Sequence, residues 1–210
     1  MKTKIDKNAT KEAPSRKGFA PGTLTAPLPP ALVTVGEGES ANVLTVAWTG
    51  ILASTPPKTY VSIRPERYSY GLIKETGEVV INLTTESLVR AADFCGVRSG
   101  KDMNKFEKCG ITPIPSTAVS APTLAESPLS IECKVFQVIE SGTHDIFLAD
   151  VVNVSCDEAL IDERGRICLD RAHLIAYAHG EYFALGKRLG AFGFSAAKKK
   201  KGGSRGGRQK

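Results

Sequence analysis

Short runs of β-branched and aliphatic side chains recur between turn residues along this chain, and that rhythm constrains the fold more than any other feature. The runs fall at residues 32–35, 43–48, 60–63, 79–83, 129–139, 146–154 and 174–178. Bounded by Gly, Pro, Asn and Ser, they read as strands. In 129–139, Leu129, Ile131, Cys133, Val135 and Ile139 share one face while Ser130, Glu132 and Lys134 lie opposite. That is the period-2 alternation of a half-buried strand with one face toward solvent. Three stretches read as helices: 69–76 before Gly77, 86–95 before Gly96 and 103–109 before Gly110, each glycine suiting a left-handed C-terminal cap. The chain reads as mainly β, and helices inserted without βαβ alternation favour α+β or a barrel with helical excursions over a doubly wound sheet.

A length of 210 residues suits one core plus tails. The net charge of +6 looks like a pointer to nucleic acid, but it sits at the ends. Residues 1–17 carry +4 and residues 198–210 carry +7, which leaves −5 on the body between them. The expected organisation is a disordered basic segment at 1–18, one domain at 19–197 and a disordered Gly/Lys/Arg tail at 198–210. An acidic body makes nucleic acid a poor partner.

Cys95, Cys109, Cys133, Cys156 and Cys168 are odd in number, without a C-x-x-C pair or a Cys/His cluster, which argues against a zinc site or a disulfide framework. No apolar run reaches the length of a signal core or membrane span, so the expected setting is a reducing cytoplasm. No P-loop, dinucleotide glycine fingerprint or G-x-S-x-G elbow occurs, and His144, His173 and His179 are the only histidines. An enzyme so poor in catalytic groups borrows its chemistry from a cofactor.

The segment Asn42-Val43-Leu44-Thr45-Val46-Ala47-Trp48-Thr49-Gly50, followed by Ala53-Ser54-Thr55-Pro56-Pro57, resembles the opening of flavin reductase-like proteins. The resemblance continues through Val61-Ser62-Ile63-Arg64-Pro65-Glu66-Arg67-Tyr68-Ser69, Val80-Ile81-Asn82-Leu83, Phe94-Cys95-Gly96, Ser99-Gly100-Lys101-Asp102 and Lys105-Phe106. It reaches Gly142-Thr143-His144 and then Tyr182, Leu185-Gly186 and Leu189-Gly190-Ala191-Phe192-Gly193, in all about residues 25–194. Each motif is weak alone; in this order they are specific. The resemblance, closest to flavoredoxin-like members, implies a split β-barrel of Greek-key type and a homodimer that binds flavin mononucleotide (FMN) non-covalently near the subunit interface. The activity it implies is oxidoreduction, with NAD(P)H as a transient donor or a redox protein as partner. A flavin carrier or sensor without reductase activity is the alternative.

Carried onto this chain, the resemblance implies a cofactor site of Asn42, Thr45, Ala47, Trp48, Thr49, Ser54, Thr55, Ser62, Asn82, Cys95, Gly96 and Tyr177, with Arg64, Ser99, Gly100 and Lys105 at the phosphate. Chemistry supports the division. A flavin ring needs flat walls and backbone amides, and a phosphomonoester needs cations with hydroxyl or amide donors. Ser99-Gly100 precedes a short helix, where free N–H groups favour an anion. His144 is the candidate catalytic group, since an imidazole can pass protons near neutrality. Bland roles stay open: Trp48 as a packing anchor, Lys105 in a solvated loop, His144 in an exposed turn, Tyr177 in strand packing and Cys95 as a small hydrophobe.

Overall fold

The computed structural model describes residues 14–196, so the expected basic ends lie outside the described residues except for 14–18, which are irregular and exposed. Phe19, the expected start of the body, is 82% exposed, and regular structure begins at β1 (Ala31–Val35). There follow β2 (Asn42–Val46), β3 (Thr49–Ser54), β4 (Pro57–Ile63), α1 (Tyr68–Thr76), β5 (Glu78–Leu83), α2 (Val89–Val97) and α3 (Lys105–Cys109). A loop holding the short pair β6 (Pro113–Ile114) and β7 (Thr123–Leu124) leads to β8 (Leu129–Ser141), β9 (His144–Cys156) and a separate hairpin, β10 (Ile175–Ala178) with β11 (Glu181–Ala184). No helix among the described residues is long and apolar enough to cross a membrane.

Seven strands form one antiparallel sheet in the order β2-β1-β5-β8-β9-β4-β3. Its edge strands β2 and β3 are consecutive in the chain, joined only by Ala47-Trp48, and the Ser62 N–H donates to the Trp48 carbonyl at 2.9 Å. The two edges therefore meet at that corner, and the sheet is a split β-barrel. The expected run 43–48 stops at Val46 because the chain changes sheet edge there.

Alternation explains why β1 and β2 are buried on both faces. Val33, Val35, Leu44 and Val46 point into the barrel with Val61, Ile63, Val79, Ile81, Cys133 and Phe147, while Leu32 and Val43 point out beneath α2 and α3, onto Leu88, Ala92, Cys95 and Phe106. Each such aliphatic burial contributes about 1.5–3 kcal/mol. Gly77 and Gly110 cap α1 and α3 with φ of 66° and 63°, as the sequence predicts. Gly96 does not cap: α2 runs through it to Val97, and an extended Arg98 ends the helix with its N–H on the Phe94 carbonyl.

Two further expectations fail for tertiary reasons. Register shifts near Val135/Gln137 put Val138 on the core and turn Ile139 out, 41% exposed, so the alternation of β8 does not run to its end. Ser130 and Glu132, on the face expected to meet solvent, are each 1% exposed. The 115–123 loop covers that face: Glu132 accepts hydrogen bonds from the Thr117 and Ala118 N–H groups, and Ser130 donates to Asn82.

Candidate functional site

Where the barrel edges meet, the ends of several elements leave a cleft of about 430 Å³, within the size range of small-molecule sites. Thr45, Ala47 and Trp48 come from the strand corner, Ser62 and Arg64 from the end of β4, and Arg67 from the first residue before α1. Asp93 and Gly96 face them from α2, His144 from the start of β9, and Tyr177, Gly180 and Tyr182 from the β10–β11 hairpin. The hairpin is held in place by paired backbone bonds between Leu28 and Tyr177, both 2.8 Å.

One end of the cleft is aromatic. The Trp48 and His144 ring centroids are 4.2 Å apart at 41°, and those of Tyr177 and Tyr182 are 5.4 Å apart at 59°. The Thr143 hydroxyl, 2.9 Å from His144 Nδ1, orients the imidazole. Burial, then the Arg64 guanidinium, hold the His144 pKa below its usual 6.5, with Arg67 adding a smaller push and Glu66 opposing. His144 is thus a neutral acceptor or donor at pH 7, not a cation. The sign for stability follows: between its folded pKa and 6.5 the unfolded chain binds more protons, so this contribution is full above 6.5 and falls with acidification. In an NMR titration the His144 midpoint should lie below 6.5, and Arg64→Ala should move it upward.

The other end is cationic. A smaller cleft of about 140 Å³ shares Leu44, Arg67 and Val97 with the first and is walled by Asn42, Glu66, Tyr68, Ser69, Cys95, Arg98, Ser99, Gly100 and Lys105, so that Arg67, Arg98 and Lys105 outweigh the one carboxylate. Lys105 is only 3% exposed; its ammonium donates to the Cys95 and Arg98 carbonyls, both at 3.3 Å. Two of its three donors are used, which leaves one for a ligand. Burial lowers its pKa, partly offset by Cys95. Gly100 is required by contact: a Cβ there would lie 2.1 Å from Asn42 Oδ1, and the Asn42 amide is fixed by its 2.7 Å bond to Ser69 Oγ.

Of the residues named from sequence, Thr45, Ala47, Trp48, Ser62, Arg64, Gly96, His144 and Tyr177 line the larger cleft, and Asn42, Cys95, Ser99, Gly100 and Lys105 the smaller one. The Thr45 hydroxyl donates to the Ala92 carbonyl, so it also pins α2 to the barrel. Four residues line neither cleft. Thr49 Oγ1 is turned to the Tyr60 carbonyl, and Ser54 and Thr55 sit at the tip of the β3–β4 hairpin, because the Pro-closed turn reverses the chain away from the corner. Asn82 is 0% exposed; its amide donates to the Leu32 carbonyl at 2.9 Å and accepts from the Leu124 N–H at 3.0 Å and Ser130 Oγ at 2.8 Å. It ties β1, β5, β7 and β8 together. Asn82→Ala should cost about 2–3 kcal/mol in a urea melt, since it orphans buried partners.

Sequence reasoning missed Arg67, Asp93, Arg98 and Tyr182. Arg67 had a signal, its three-residue spacing from Arg64 at a helix start; the others are brought in by tertiary packing alone. Asp93 lies near Tyr182, whose pKa is raised by burial and then by that carboxylate.

Residues 24–186 match the family described as flavin reductase like domain. Flavoredoxin of Desulfovibrio vulgaris (Miyazaki F) is 34% identical, with 88% of this chain covering 100% of that one at a TM-score of 0.80. The FMN-binding protein from Thermus thermophilus superposes at a TM-score of 0.71, 26% identical, over 85% of this chain and 98% of that one. The NADPH-flavin oxidoreductase of Streptomyces viridifaciens is 27% identical over 134 residues, 62% of this chain and 68% of that protein. With more than half its length matched and the barrel in place, the chain belongs to the flavin reductase like domain family.

Proposed function

We propose that this chain is an FMN-dependent oxidoreductase that binds FMN non-covalently across the two clefts and takes hydride from NAD(P)H or electrons from a redox protein. The observation that carries the reading is that an aromatic cleft and a cationic one share Leu44, Arg67 and Val97 as walls. The donor set fits the group. Trp48 and Tyr177 offer flat surfaces to the ring, while Arg67, Arg98, Lys105, Ser69 and Ser99 offer the cations and hydroxyls that a phosphate needs. When bound, the flavin supplies a ring that accepts and passes on electrons or hydride. The protein's part is to place that ring at the barrel corner, keep its site partly dry and hold a neutral His144 where a proton can be exchanged.

A homodimer fits the exposed apolar side chains Ile51 (87% exposed), Phe136, Val152 and Val154 carried by β3, β8 and β9. Five free thiols fit a cytoplasmic setting. Anaerobic mixing of the FMN-loaded protein with NADH or NADPH tests the activity. Bleaching of the flavin band supports a reductase; no bleaching with either donor contradicts direct reduction by NAD(P)H and leaves a carrier fed by a protein donor.

A further inference from the structure

The helices at the cationic end carry two thiols to which the flavin reading gives no chemical role, Cys95 serving there only as a wall of the smaller cleft. Cys95 lies inside α2 and Cys109 is the last residue of α3, and their sulfurs are 3.8 Å apart, at contact. Cys95 is 1% exposed and Cys109 half-buried, so Cys109 is the more accessible residue of the pair. Both are free thiols. A disulfide needs the sulfurs at about 2.05 Å, and Cys109 sits at the end of a helix only five residues long. Cys133, Cys156 and Cys168 sit on other parts of the chain: in β8, at the end of β9 and before the loop helix at 169–171.

We propose that Cys95 and Cys109 form a redox-active dithiol, a modification site whose reactant is a low-molecular-weight disulfide. Cys109 attacks first, as a thiolate, forming a mixed disulfide and expelling one thiolate. Cys95 then loses its proton and attacks the Cys109 sulfur, closing the Cys95–Cys109 bond and expelling the second thiolate. In sum, one small disulfide and two protein thiols become two small thiols and one protein disulfide. The order of attack follows from access and from charge: burial, then Cys109, push the Cys95 thiol up to about 12, so it serves as the resolving group.

The consequence is mechanical. Lys105 opens α3 and Cys109 ends it, and Lys105 already reaches back to the Cys95 carbonyl. The bridge therefore staples α3 to α2 at both ends and fixes the lysine that faces the smaller cleft. None of this depends on flavin being the ligand there.

The test is to incubate the full-length protein with glutathione disulfide, quench in acid, alkylate under denaturing conditions and map the peptides without reduction. The expected result is a Cys95–Cys109 linked peptide that dithiothreitol dissolves, with a melting temperature raised on the order of 5–10 °C for the closed 15-residue loop. Cys95→Ser should stop at a glutathione mixed disulfide on Cys109, and Cys109→Ser should leave Cys95 unmodified. A wild-type protein in which both thiols stay alkylatable, or in which Cys109 keeps glutathione without a link to Cys95, overturns the proposal.

Discussion

Arg67→Ala should weaken FMN binding by about 10- to 100-fold, the range expected for removing one charge-assisted contact of roughly 1.5–3 kcal/mol. The prediction follows from position. Arg67 is the only charged residue that lines both clefts, and it lies at the start of α1, where the chain leaves β4. Its side chain makes no cap hydrogen bond; the local turn is held by backbone bonds, Arg67 N–H to the Arg64 carbonyl at 3.0 Å and Tyr70 N–H to the Arg67 carbonyl at 2.9 Å. Truncation therefore removes charge without undoing the helix, and circular dichroism should be unchanged. Riboflavin, which has the ring but no phosphate, should lose much less affinity than FMN in the same variant. An equal loss for both ligands would place Arg67 at the ring instead.

Glu132→Ala should lower stability by about 3 kcal/mol, or about 6–12 °C in melting temperature for a domain of this size. The carboxylate is 1% exposed and accepts from the Thr117 and Ala118 N–H groups and from Asn153 Nδ2 at 2.7 Å. Removing it orphans two backbone donors and one amide beneath the 115–123 loop. Burial by itself would raise the Glu132 pKa, but the donors from Ala118, Asn153 and Thr117 outweigh burial and hold it below the usual carboxylate value. Its contribution is therefore complete above the unfolded carboxylate pKa and is lost as pH falls through the folded one. The gap between wild type and variant should narrow in acid melts, whereas a purely steric role for Glu132 would keep it constant.

Glu132 also shows where sequence reading stops. Alternation along β8 identifies its inward face correctly as far as Val135, because the pleat is a local property. That alternation says nothing about a loop from elsewhere settling on the outer face, and so a buried carboxylate reads as a solvated one. The bulge that turns Ile139 outward leaves no residue-type signature either. Glycine caps at Gly77 and Gly110 were legible because a left-handed residue is a local demand, while Gly96 misleads because glycine also occurs inside helices.

The site divides in the same way. Trp48, Arg64 and His144 could be named from motifs in order along the chain, and the fold brings them to one corner. Asn82 stood in a matching motif yet is committed to joining strands, a use visible only once its three neighbouring strands are in place. Arg98, Asp93 and Tyr182 reach the clefts from α2 and from the late hairpin, and no spacing in the sequence links them.

Trp48 is the single tryptophan of the chain and forms a wall of the larger cleft. A titration of its fluorescence with FMN is thus the most direct test of whether this corner is a flavin site. Flavin seated there should quench the emission in a saturable manner at one FMN per chain, with the midpoint shifted about 10- to 100-fold by Arg67→Ala. Emission that stays constant, or that falls linearly without saturation in wild type and variant alike, would contradict a flavin site at the barrel corner.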